Sequence, residues 1–246
     1  MDQNREIKMQ LLKEFGISDD KKTIDFCREA YKFLTEEDEA TSSPQYQVSP
    51  EPVAIDLGLP SGTLWCDRNI GAKQSSDFGA FFSWGNTDLH FQNIENMDWG
   101  DDNDAFDYEF TSEEYKKTPG YKLKDDIDLE HDTARVNMGD PWQMPTAEQF
   151  EELLEYCTWT RRTFNNVNGY LVISKINGNL LFFPCSGYGN GTSWSSRATS
   201  GLYWSGSLAS DTAEGLYLFF SSGGVYPQYT YDRFHGFSGR AVQCRS

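Results

Sequence analysis

The sequence predicts an α+β protein, a short helical segment followed by a long β-rich domain. Three observations carry this reading. Between Ile7 and Leu34 apolar residues recur at helical spacing. From Pro52 onward the pattern changes to short alternating runs broken by Gly, Asn and Pro, as in strands joined by turns. One clear helix, opening at Thr146, interrupts those strands.

Ile7, Leu11, Leu12 and Phe15 lie on one helical stripe, which Gly16 ends as a C-cap. Ser18 caps a second helix, and Asp19 and Asp20 suit its positive end. Ile24, Cys27, Tyr31 and Leu34 form its apolar face, with Phe26, Ala30 and Phe33 beside it. The two helices define a unit over residues 1–36, expected to pair with each other or with another subunit. Residues 37–52 are acidic and then rich in Ser and Pro, with almost nothing to bury, and read as a linker.

Residues 53–246 form the main domain in this reading. Val53, Ile55 and Leu57 alternate, Pro60-Ser61-Gly62 turns the chain, and Thr63-Leu64-Trp65 resumes the strand pattern. Residues 88–132 are polar and strongly acidic with scattered aromatics, the composition of a long irregular insertion over the surface. Thr146 and Gln149 have capping-box spacing, with Phe150, Leu153, Leu154 and Cys157 as the buried stripe that follows. Residues 169–175 and 180–184 flank Asn177-Gly178, a tight-turn dipeptide, and predict a hairpin. Residues 203–207, 215–221 and 237–244 are expected to close the fold as strands.

Composition excludes several classes of function. A formal charge of −17 leaves no surplus of cations to displace counterions, so nucleic acid is not an expected partner. The charge is uneven, since after Thr160 there are three acidic and seven basic residues, +4, and the first 160 carry −21. The longest apolar runs, such as residues 180–184, fall far short of the roughly 20 residues a spanning helix needs, so membrane insertion is not expected. The opening MDQNREIKMQ has no cationic, apolar signal pattern. The reading is synthesis in the cytoplasm, with a phage particle or a cell surface open as the destination. Five cysteines without CxxC spacing, Cys27, Cys66, Cys157, Cys185 and Cys244, read as reduced and mostly buried; one bridge from Cys66 onward stays open.

Several motifs combine in one order: residues 56–65 (DLGLPSGTLW), residues 79–85 (GAFFSWG), Ala134-Arg135, the W-x-M-P-T-x-x-x-F-x-x-L helix start from Trp142, Tyr203-Trp204-Ser205, and Gly236-Phe237-Ser238 with Arg240. Over residues 53–246 the chain resembles the Fibrobacter succinogenes major paralogous domain, whose C-type-lectin-like fold is related to that of formylglycine-generating enzymes. Gly239 departs from the Val usual there, and the N-terminal helices lie outside the match. Some domains of this kind resemble the variable proteins of diversity-generating retroelements, in which the last strands and loops carry hypervariable ligand-binding residues on a fixed scaffold. The resemblance implies a recognition surface over residues 225–235, with Gly236, Phe237, Ser238 and Arg240 as scaffold.

The residues agree with that placement. From Gly201 onward there are ten aromatics, Tyr203, Trp204, Tyr217, Phe219, Phe220, Tyr226, Tyr229, Tyr231, Phe234 and Phe237, interleaved with Ser and Gly. Tyr gives rigid contact area with a hydrogen-bonding tip, and Ser and Gly adapt, which is the composition of paratopes. Alternation assigns Trp204, Phe220 and Phe237 to the core. Tyr226, Gln228, Tyr229, Thr230, Tyr231, Asp232, Phe234 and His235 are the candidate ligand-binding residues, exposed beside Pro227, which a central strand would not accept. The expected partner is a protein or glycan ligand, and self-association stays open. The alternatives are a structural or adhesin-like surface domain and, as an outsider, a formylglycine-generating type of enzyme, which would need Cys185 and Cys244 paired and solvent-reachable. No other catalytic constellation is read, since His90, His131 and His235 stand in no elbow or triad spacing.

No cofactor or metal is expected. Asp98, Asp102, Asp104 and Glu109 occupy positions 1, 5, 7 and 12 of a calcium-loop spacing, but Gly100 stands at position 3 and Asn103 at the obligatory glycine. The triplets of calcium-dependent sugar-binding lectins are missing. Residues 187–191 (GYGNG) read as a turn, because no helix follows to bind phosphate.

Overall fold

A computed structural model describes residues 51–92 and 106–244. The two N-terminal helices, the linker as far as residue 50, and Asp98, Asp102 and Asp104 lie outside the described residues. Within them strands predominate over short helices, so the α+β class holds in its β-rich form. No described helix is long and apolar enough to cross a membrane.

The strands form small antiparallel sheets. β1 (Ala54–Asp56) pairs with β2 (Leu64–Cys66) across the predicted turn, and β11 (Val242–Gln243) joins the other edge of β2. β3 (Cys157–Phe164), β4 (Val167–Ser174) and β5 (Leu180–Pro184) make one meander, β6 (Tyr188–Asn190) and β7 (Ser193–Ser195) a small hairpin. β8 (Gly201–Leu208), β9 (Glu214–Ser221) and β10 (Gly224–Asp232) make a second meander, with β10 as its edge. The helices are α1 (Ser112–Tyr115), α2 (Thr133–Met138) and α3 (Ala147–Tyr156). α3 begins with the predicted box: Gln149 N–H donates to Thr146 Oγ1, and Thr146 N–H donates to Gln149 Oε1 at 2.9 Å.

The β8–β9–β10 sheet separates two cores, as alternation requires. Tyr203, Leu218 and Phe220 face one side and meet Trp65, Phe150, Leu153, Tyr170 and Phe183. Leu202, Trp204 and Tyr217 face the other and meet Trp84, Trp142, Met144 and Phe237. Phe237 stacks on Trp204 with ring centroids 4.0 Å apart. Two of the buried indoles on that side donate to backbone carbonyls, Trp84 Nε1 to Ser205 O and Trp204 Nε1 to Phe82 O, each at 2.9 Å. Gly239 belongs to the same packing: a Cβ there would lie 2.5 Å from Phe82 Cζ and 2.9 Å from Ile70 Cδ1. Any side chain at this position would require Phe82 and Ile70 to move.

Several expectations need correction. Where it is described, the insertion over residues 88–132 is irregular apart from α1 and a helical turn at Pro119–Lys122, and it is anchored, because Phe106, Phe110 and Tyr115 are buried. Phe106 and Phe110 form a third cluster with Phe81. Residues 187–191 contain strand β6 of a hairpin rather than a bare turn. Cys157 begins β3 instead of ending α3, and Leu154 is only half-buried. Strand β3 itself was not predicted; its alternation is weak, with Arg161, Arg162 and Thr163 all exposed at an edge. The predicted strand over residues 237–244 is reduced to β11 and isolated bridges, such as Phe82 with Phe237.

Arg240 ties these pieces together. It is fully buried. Its Nε and Nη2 donate to Asn69 Oδ1 at 3.0 and 2.7 Å, Nη1 to Cys66 O at 3.0 Å, and Nη2 to Phe182 O at 2.8 Å. Asn69 Nδ2 in turn donates to the Tyr203 hydroxyl, which donates to Pro184 O at 2.8 Å. Replacing Arg240 with Ala orphans several buried acceptors, each costing about 1–3 kcal/mol. Denaturant unfolding should therefore register a loss of at least about 3 kcal/mol, and Arg240→Lys should not restore it, since an ammonium lacks the planar fork. Wild-type stability in either variant would show that the network is dispensable.

Candidate functional site

The predicted recognition tract is strand β10 and the turn after it. Tyr226 opposes Phe219, Tyr229 opposes Tyr217 and Tyr231 opposes Gly215 across the β9–β10 pair. Two residues lie between Tyr226 and Tyr229 but only Leu218 lies between their partners, so one extra residue is accommodated by a bulge at Pro227 and Gln228. Without it, Tyr226 and Tyr229 would point to opposite faces. With it, Tyr226, Tyr229 and Tyr231 share the face that carries Tyr217 and Phe219. Pro227 suits this edge position because it has no N–H to donate.

The rings form a continuous ledge. Centroids of Phe219, Tyr226 and Tyr229 make a triangle with sides of 6.0, 5.7 and 5.6 Å, and Tyr217 lies 6.0 Å from Tyr229. Tyr226 is 42% exposed and Tyr229 50%, while Tyr217 beneath them is buried. The Tyr226 hydroxyl donates to Gly223 O at 3.3 Å, which holds its ring in place. Burial pushes the Tyr217 phenol up, and burial with the neighbouring Tyr188 phenol does the same for Tyr231, so both keep a proton to donate.

Gln228, Thr230 and Asp232 are exposed along the same strand, and Tyr231 and Phe234 are half-buried. His235 is not exposed, which corrects the sequence expectation. It retains 5% accessibility. Phe234 stacks on it at 4.2 Å, Tyr231 lies at 4.5 Å and Tyr188 at 5.7 Å. The chain turns back after β10 to deliver Phe237 to the core, and His235 is drawn in with it. Phe237 and Arg240 are both fully buried, as the scaffold assignment predicts.

Sequence reading missed Phe219 as part of the ledge and Tyr188 at its border. Tyr188 comes from the β6–β7 hairpin, and only the tertiary fold brings it to Tyr231, 6.0 Å away. The odd spacing of Tyr226 and Tyr229 around Pro227 was the available signal for the bulge.

Elsewhere, Cys66, Cys157, Cys185 and Cys244 are free thiols. Cys185 is buried, its thiol pushed up to about 11 by burial, and Cys244 is exposed, so the pairing required by the enzyme reading is not formed. Among the described residues no three His, Cys, Asp or Glu side chains converge as metal ligands. A scan against protein-family models finds no match, and searches of curated proteins and of solved structures return none.

Burial pulls the His235 pKa down, against a weaker opposing effect of the Asp232 carbonyl. Burial also pulls His90 down. A histidine depressed in the folded state binds its proton more readily when unfolded, so stability is lost as pH falls through the ordinary value near 6.5. Unfolding free energy should decline between pH 7 and 5.5, by no more than about 1.4 kcal/mol per pH unit for each such histidine. His235→Gln should flatten that slope. An unchanged slope would mean that His235 titrates normally and is not enclosed.

Proposed function

We propose that the chain is a ligand-binding, receptor-recognition module of C-type-lectin-like fold, whose contact surface is the tyrosine ledge of β10. The main support is the combination of two exposed, laterally fixed tyrosines with a floor of rings that are themselves packed from below. Exposed aromatics that cluster mark interaction sites more than scattered ones do, and Tyr and Trp anchors contribute most strongly to binding. Holding the rings in advance lowers the entropy lost on association. Gln228, exposed in the bulge beside the rings, supplies an adaptable polar contact, while Thr230 and Asp232 are exposed on the other face of the same strand.

A variable surface on a fixed scaffold makes physical sense of the layout. Tyr226, Gln228, Tyr229, Thr230 and Asp232 are not members of the two cores, whereas Phe237 and Trp204 fill one of them. This supports the reading in which the tract is the changeable part of a variable protein.

The double substitution Tyr226→Ala with Tyr229→Ala should change stability by no more than about 1 kcal/mol, the usual range for surface positions. Phe237→Ala should cost about 3 to 5 kcal/mol. On arrays of immobilised proteins and glycans, the wild-type chain should bind a small subset that the double variant loses, by about 2 kcal/mol or more. Unfolding of the double variant, or an identical array profile, would contradict the proposal.

A further inference from the structure

We infer that strand β3 is a second recognition site, an open sheet edge that takes an extended acidic segment of a partner protein as an added strand. The edge belongs to the other meander from the ledge, and its role stands apart from the ligand-binding reading above.

The backbone of β3 is open along one side. It is an outer strand of its sheet, matched to β4 over eight consecutive pairs without a shift of register. Along β4, successive residues turn their backbone alternately to β3 and to β5. Ser174 N–H donates to Asn179 O at 2.8 Å, and Cys185 N–H donates to Asn168 O at 2.7 Å, so Ser174 and Asn168 are turned to the β5 side. The residues opposite them on β3, Cys157 and Thr163, therefore take no ladder bond from β4. By the same alternation Trp159, Arg161 and Thr163 point N–H and C=O outward, and no backbone group among the described residues meets them. Only the Arg162 side chain lies there, its Nη1 donating to Arg161 O at 3.0 Å. β3 contains neither Pro nor Gly and no bulge, unlike β10, which makes it a straight template for strand addition.

The charge on this edge selects the partner. Arg161 and Arg162 are exposed on opposite faces of the sheet, and neither has an ion-pair partner among the described residues. After Thr160 the chain holds only three acidic residues, Asp211, Glu214 and Asp232. All three lie at the end of β9 away from Phe220, the ring that Trp159 meets at 6.0 Å. Glu152 of α3 acts on Cys157, which lies about 13 Å back along the strand from Arg161. A second β3 would bring two more arginines to the same seam, so the edge opposes self-pairing. An acidic strand fits instead, because two adjacent carboxylates fall one on each face, opposite Arg161 and Arg162. Trp159 shares a face with Arg161, so an apolar residue two places from the carboxylate opposite Arg161 packs beside its half-buried indole.

The test is calorimetric titration of the full chain, near 0.15 M salt, with the terminally blocked peptide Ser-Thr-Glu-Glu-Thr-Val-Thr-Ser, which sets its valine against Trp159 in an antiparallel pairing. It should bind at least about fivefold more tightly than the same peptide with glutamine for both glutamates. N-methylation of the second glutamate and the valine, whose N–H groups face β3 in that register, should weaken it about tenfold or more. Binding should slow amide exchange at Trp159, Arg161 and Thr163, whose N–H groups are otherwise open to water. Arg161→Gln with Arg162→Gln should remove the preference for glutamate and leave thermal unfolding unchanged, because both side chains are exposed; a purely structural role would move unfolding instead.

No binding of the glutamate peptide, equal binding of the glutamine or N-methylated peptide, or slowed exchange along β10 in place of β3 would overturn the inference. Dimerisation of the free chain that the arginine variant abolishes would also overturn it, by assigning the edge to a second copy.

Discussion

Arg240 carries a charge into the interior and, among the described residues, forms no ion pair with a carboxylate there. Taking a guanidinium out of water costs several kcal/mol unless its donors are matched, and here the acceptors come from two separate parts of the chain, with a third joined through Asn69. Asn69 follows β2, Cys66 ends it, Phe182 sits in β5, and Tyr203 joins through Asn69 from β8. The aromatic face of Phe183 lies 4.3 Å from the guanidinium carbon and completes the enclosure. Segments that share no continuous sheet are thereby held in one arrangement, because any other arrangement leaves the charge unsatisfied.

That arrangement fixes what β10 can do. β8 and the middle of β9 are largely buried on both faces, and Tyr203, Trp204, Tyr217, Leu218 and Phe220 are committed to one core or the other. β10 receives its register from β9 and contributes to the cores mainly through Val225 and Tyr231. The remainder of the strand is free to face outward, and the bulge at Pro227 and Gln228 aligns the tyrosines on one side. A bulged edge containing proline also resists pairing with another strand, so the surface offers side chains more readily than backbone. Rigidity below and freedom above are the conditions for a binding face that can change without unfolding its support.

Much of this was legible in the sequence where local rules decide the outcome. The capping box at Thr146 and the Asn177-Gly178 hairpin depend on neighbours in the chain, and both form as predicted. Trp204, Phe220 and Phe237 could be assigned to the core by alternation. His235 could not, since its burial follows from the path between β10 and Phe237 and not from its own surroundings. Phe106, Phe110 and Tyr115 were hidden inside a polar, acidic stretch whose average composition masks individual anchors. The ledge was read in outline, but Phe219 and Tyr188 enter it only through pairing and packing across distant segments. The C-type-lectin-like assignment and the retroelement connection rest on the order of motifs, and they remain proposals built on that resemblance.

The central claim is that the same short tract contains both freely exchangeable and fixed positions. Saturation mutagenesis of residues 217–240, displayed on yeast and sorted for protease resistance, measures tolerance at each position directly. Tyr226, Gln228, Tyr229, Thr230 and Asp232 should accept nearly every residue type without loss of folded display. Tyr217, His235, Phe237 and Arg240 should accept few or none besides the native residue. Equal restriction at both sets, or tolerance at Phe237 and Arg240, would contradict the division between scaffold and surface.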